Sequence, residues 1–187
     1  MVGSLGWVGD QAISLGRELR WAREYHTHPM VDTGPRLTTS IAGVELATPL
    51  IAAAGTCGYV DELLDVCDPA ALGAVTTKSI TQEARAGNDP WRMADLPVGM
   101  LNAVGLANKG LDAFLSEELP RAAGIAPVVI GSIAGHCVQE YLTVAAAFDQ
   151  AIDLPLVELN VSCPNTATGL QFGRSPELLG ELLREIR

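Results

Sequence analysis

The sequence predicts an α/β fold in which parallel strands alternate with covering helices, and three features carry that expectation. Short apolar runs recur from residue 49 onward, each followed by a segment with helical periodicity. The run Pro127–Ile133 is nearly continuous in Val and Ile, the pattern of a strand buried on both faces. Polar residues and glycines gather directly after each run, where a parallel α/β sheet places its functional groups.

Residues 1–36 read as a separate extension, with a short helix expected over Arg17–Arg23 between glycines and prolines. His26 and His28 read as loop histidines, because no carboxylate or thiol cluster accompanies them as metal ligands. Leu37–Leu46 predicts a β-hairpin turning at Ala42-Gly43. Pro49–Ala54 predicts the first barrel-type strand, and Val60–Cys67 a short amphipathic helix. The second strand is expected over Gly73–Ser79, followed by a long connection from Ile80 to Asn108. Leu111–Ala123 carries Leu111, Phe114, Leu115 and Leu119 on one helical face. The third strand follows at Pro127–Ile133, then a helix over Gln139–Ala151 and a fourth strand over Leu156–Val161. Ser175–Arg187 closes the chain as a helix with Ser175 as N-cap and Pro176 in its first turn. Four β-then-α units in succession imply right-handed crossovers and about half of a (β/α)8 TIM barrel over residues 37–187.

Composition supports a packed domain and narrows its partners. The 187 residues are 48% hydrophobic and 18% charged, with a net charge of −10. No basic field exists to attract nucleic acid or an anionic membrane. The apolar runs are too short to span a bilayer. The four cysteines show no paired or zinc-type spacing and read as free thiols in a reducing cytoplasm.

The chemistry concentrates at the strand ends. Ala54-Gly55-Thr56 ends strand one, its glycine allowing close approach of a flat ligand. Lys78 ends strand two, a cation where core residues are expected. The loop Gly99–Asn108 mixes backbone donors, an amide and apolar residues. Gly131-Ser132-Ile133-Ala134-Gly135 lacks dinucleotide-loop spacing, and His136 and Cys137 read as helix-start residues. The fourth strand leads into Asn160-Val161-Ser162-Cys163-Pro164-Asn165. Cys163 stands there in a polar loop with no nearby histidine, which favours base chemistry over acyl transfer.

Thr76-Thr77-Lys78-Ser79, the Asn102–Asn108 segment and Glu158–Asn165 together resemble the dihydroorotate dehydrogenase family, nearest its soluble class 1 members. The likeness runs from about Leu37 to Arg187, with Asn108-Lys109-Gly110 as a mild variation. It implies a TIM barrel carrying FMN at its C-terminal mouth and oxidising dihydroorotate to orotate in pyrimidine (UMP) biosynthesis. By resemblance Cys163 is the base that removes the C5 proton while hydride passes from C6 to flavin N5. Lys78, Asn102, Gly105, Leu106, Asn160 and Asn165 then hold the substrate. Ala54, Gly55, Lys78, Ser79, Ser132 and Asn160 line the flavin.

The resemblance further implies a cytoplasmic enzyme with a homodimer, the common state of soluble relatives, and an electron-transfer subunit as candidate partners, and leaves fumarate, NAD through such a subunit and other acceptors open. It also implies an incomplete chain, because the family's second flavin lysine and its glycine-rich phosphate loops belong to the other half of the barrel. Two alternatives stand beside it: a dihydropyrimidine dehydrogenase-like FMN domain, and a non-catalytic half-barrel acting as an assembly partner.

Overall fold

A computed structural model describes residues 37–62, 68–122, 124–125, 127–163 and 171–187. The expected Arg17–Arg23 helix, His26, His28, most of the Val60–Cys67 helix and Asn165 lie outside the described residues.

The described residues open with the predicted hairpin, β1 (Thr39–Ile41) against β2 (Val44–Leu46). Ala42 and Gly43 both adopt positive φ, 50° and 86°, as a two-residue turn matched to strand twist requires. Four parallel strands follow in the order β3 (Ile51–Ala52), β4 (Ala74–Thr76), β7 (Val128–Ile133) and β8 (Leu156–Leu159). These are the four strands expected from the apolar runs, each shorter than its run. The helices that return the chain are α1, starting at Leu111–Ala113, α2 (Val138–Asp149), and the pair α3 (Gln171–Arg174) and α4 (Pro176–Glu185). Ser175 caps α4 as predicted, its hydroxyl accepting the Leu178 N–H at 3.2 Å.

Two elements depart from expectation. The long connection is not free of regular structure: it contains an antiparallel hairpin, β5 (Met93–Leu96) and β6 (Gly99–Asn102). Its residues are all exposed, so no buried face left an alternating pattern to read. The α1 segment also changes pitch, widening to π-helical over Phe114–Glu118 and tightening to 3-10 over Leu119–Ala122. The change surrounds Pro120, whose ring would clash with the carbonyl four residues back in a regular α-helix.

Register and alternation sort the sheet into two faces. Val129 and Ile133 face the helices, where Phe114, Tyr141, Val144, Phe148 and Leu182 form the main core. Phe114 and Phe148 meet with ring centroids 5.4 Å apart. Position 131 lies on this side too and is glycine, since a Cβ there would come within 2.6 Å of the Phe148 ring. The opposite, inner face carries Ala74 and Ile130, which pack with Leu46 of the hairpin into a second cluster. One layer further along the strands the inner face turns polar, with Ser132 paired in register to Glu158. Among the described residues no helix is long and apolar enough to cross a membrane.

Candidate functional site

A cleft of about 360 Å³ opens where the parallel strands end. Gly55 and Thr56 after β3, Lys78 and Ser79 after β4, Asn102, Gly105 and Leu106 of the long connection, and Asn160 and Cys163 after β8 all line it. Ala54 and Val104 complete the lining. Of the sequence-predicted site residues, nine therefore meet in one place. Ser132 lies beneath rather than at the wall, fully buried in the layer below. A larger groove of about 800 Å³ runs along α2, β8 and the end of α4, but it brings together no amide or thiol.

Backbone ladders extended past the named strands hold these residues. Thr77 N–H donates to Ile130 O at 2.9 Å and Ile80 N–H to Ser132 O at 2.8 Å, carrying 77–80 alongside β7. The intervening Lys78 is tied by its N–H to Gly58 O at 3.0 Å. Asn160 N–H donates to Ile133 O at 2.8 Å, so β8 delivers its amide to the same edge.

Lys78 is half-buried and is the one formally charged side chain in the lining. The ion pairs among the described residues centre on Lys109 and Arg121, which share the buried carboxylate of Glu118, and no carboxylate pairs with Lys78. A partly desolvated ammonium beside two amides suits a small planar anion. Cys163 is a free, half-buried thiol on the same wall. Cys57 and Cys137 are also free, and Cys137 occupies the N-cap of α2, as expected of a helix-start residue.

The long connection reaches the cleft as a braced arm. Arg85 and Asn108 exchange two backbone hydrogen bonds, of 2.8 and 2.9 Å, and the Asn88 N–H donates to Val104 O at 3.0 Å. The buried Asn108 amide makes four contacts. It donates to Thr81 Oγ1 at 2.9 Å and Leu106 O at 2.8 Å, and accepts from Thr81 N–H at 3.3 Å and Gly110 N–H at 2.9 Å. It thus fixes Gly105 and Leu106, both at positive φ, on the cleft wall.

Sequence reasoning missed the structural roles of Asn108, Glu158 and Tyr141. The Tyr141 hydroxyl donates to the backbone carbonyl of Asn160 at 2.7 Å. Burial pushes its pKa up, opposed by a hydrogen bond from the Gly135 backbone and reinforced by the nearby Glu140 and Cys163 charges.

Comparison with known proteins accords with this geometry. The sequence profile of the family described as dihydroorotate dehydrogenase matches residues 36–187. The chain is 40% identical over 153 residues to the "dihydroorotate dehydrogenase B (NAD(+)), catalytic subunit" of Desulforudis audaxviator, covering 81% of this chain and 50% of that protein. It is 40% identical over 150 residues to the "putative dihydroorotate dehydrogenase A (fumarate)" of Solibacter usitatus, covering 80% and 49%. The chain spans about half the length of the curated relatives it matches. In fold it is similar to the crystal structure of the Eimeria tenella enzyme in complex with ferulenol. That match has a TM-score of 0.69 at 19% identity, over 95% of this chain and 50% of the other. The four parallel strands are therefore half of a (β/α)8 barrel, and the chain belongs to the dihydroorotate dehydrogenase family.

Proposed function

We propose that the cleft binds dihydroorotate and takes part in its oxidation to orotate beside an FMN. The observation that carries this reading is the meeting of Lys78, Asn102, Asn160 and Cys163 in one cleft. The described residues fit a flat ring system: Gly55 has φ +82°, and a Cβ built on it would meet no atom within 4 Å. Ala54, Gly55 and Ser79 would lie along the ring, with Lys78 and Asn160 shared between ring and substrate. FMN held there would supply the hydride acceptor.

The chain's own groups do the rest. The Lys78 ammonium offsets the substrate carboxylate. Asn102 and Asn160 pair with ring amides, each offering one donor and one acceptor edge. Gly105 and Leu106 lend main-chain groups from the braced arm. Cys163, as thiolate, takes the C5 proton as general base. The names of the B-type relatives support a partner subunit as the destination of the electrons.

The test is anaerobic mixing of the FMN-loaded protein with dihydroorotate. Bleaching of the flavin with stoichiometric orotate is the expected result. A flavin that stays oxidised would overturn the reading in favour of a non-catalytic half-barrel.

A further inference from the structure

Beneath the cleft runs a chain of four side chains from three separate stretches of sequence. The Ser132 hydroxyl donates to Glu158 Oε1 at 3.0 Å, the Ser79 and Ser132 hydroxyls meet at 2.9 Å, and Asn160 Nδ2 reaches Ser79 Oγ at 2.9 Å. Ser79 and Ser132 are buried, with 6% and 0% exposure, so water does not substitute for these contacts.

Counting hydrogens gives the chain a direction. A carboxylate only accepts, so the single Ser132 hydrogen goes to Glu158. Ser132 must then accept from Ser79, which spends the Ser79 hydrogen. Ser79 can only accept from Asn160, which compels the amide to present Nδ2 to it. The Asn160 Oδ1 is thereby turned to the Ser162 N–H, 3.4 Å away on the loop that carries Cys163. The reversed amide would set acceptor against acceptor at Ser79 and donor against donor at Ser162.

We propose that Glu158 is a positioning residue: through Ser132 and Ser79 it sets which edge of the Asn160 amide faces the cleft. Ser132 and Glu158 are register partners on the inner face of β7 and β8, so the sheet itself aligns the first link. The consequence for ligand binding rests on the dihydroorotate reading above, whereas the amide orientation does not.

The experiment uses the whole chain labelled with 15N at asparagine, the Asn160 side-chain amide signals being assigned with Asn160→Asp. Glu158→Gln keeps an acceptor for Ser132 and is expected to leave those signals and their exchange protection unchanged. Glu158→Lys can only donate, so the relay reverses and the Asn160 signals are expected to shift and lose protection. Glu158→Ala and Ser132→Ala are expected to give one common altered spectrum, with no further change in the double variant. Unchanged Asn160 signals in Glu158→Lys, or equal shifts in the Gln, Ala and Lys variants, would overturn the proposal. Orotate affinity, measured by calorimetry on the FMN-loaded protein, is expected to fall about tenfold in Glu158→Lys, the worth of one misdirected hydrogen bond. That loss should vanish in an Asn160→Ala background. Absence of orotate binding by the unsubstituted protein would sink the functional reading, and the amide spectra would still decide the relay.

Discussion

The phenolic hydroxyl of Tyr141, on helix α2, donates to the backbone carbonyl of Asn160 across 2.7 Å and so ties a helix of the outer layer to the cleft-bearing end of β8. Tyr141 itself is 1% exposed and meets Phe172 edge-on at 5.4 Å. Tyr141→Phe keeps the ring packing and removes only the hydrogen bond. The expected loss is about 1 kcal/mol in urea denaturation, with an unchanged denaturant slope.

The same residue predicts behaviour at high pH. Burial raises the pKa of Tyr141, and burial is also the first cause of the raised pKa of Tyr59. The folded state therefore holds these protons more tightly than the unfolded chain does. The stability they contribute is complete below the unfolded value of about 10 and drains away as pH rises through the higher folded values. Tyr141→Phe should flatten this alkaline decline in thermal melts, and an equally steep decline would contradict the assignment.

Loss of the Asn108 amide should loosen the arm without disturbing the sheet. Asn108→Ala strips partners from the buried Thr81 and Gly110 N–H groups and from Leu106 O. A cost of about 2–4 kcal/mol is expected. Trypsin should cut sooner at Arg85 and Arg92, with cleavage rates by mass spectrometry as the check. Asn108→Asp restores the acceptor but not the donors, and should fall between the two.

The strands were legible because Val129, Ile130 and Ile133 sit in a run that only a doubly covered strand tolerates, and Ser175-Pro176-Glu177 declared a helix start by local chemistry alone. The cleft residues Lys78, Asn160 and Cys163 stood out because each breaks the apolar pattern at a strand end. The β5–β6 hairpin was hidden for the opposite reason. With Met93, Leu96, Met100 and Leu101 all exposed, neither face imposed a period of two. Glu158 and Asn108 escaped notice because their value lies in contacts 26 and 27 residues away in sequence, which no local spacing encodes.

Gly105, on the cleft wall, has little room for a side chain. Its φ is +77°, and a Cβ there would stand 2.8 Å from the Asn88 side chain and 2.9 Å from the Asn88 backbone N. The left-handed conformation alone costs an alanine about 1–2 kcal/mol, and the contact with Asn88 adds to it. Gly105→Ala should lower the melting temperature and weaken orotate binding together. Undiminished affinity would remove this stretch from the binding wall.

Lys78→Met keeps the length of the side chain and removes its charge. With no carboxylate neighbour among the described residues to be stranded, the fold should be little affected. Orotate affinity should drop about ten- to a hundredfold, the usual worth of a hydrogen bond to a charged group. Added salt should weaken binding in the original protein more than in the variant. Equal salt dependence in both would mean that the substrate carboxylate lies elsewhere.

Cys163 separates binding from chemistry. Its half-buried thiol lines the cleft, and in the proposed reading the amides and Lys78 carry the recognition. Cys163→Ala should therefore leave the orotate dissociation constant within about twofold while flavin reduction by dihydroorotate slows by about 10²–10⁴, the contribution of a positioned general base. Cys163→Ser restores a weaker base of similar size, and its rate should rise with pH toward that of the original protein. Stopped-flow reduction across a pH series measures both variants, and turnover in Cys163→Ala equal to the original would take the thiol out of the mechanism.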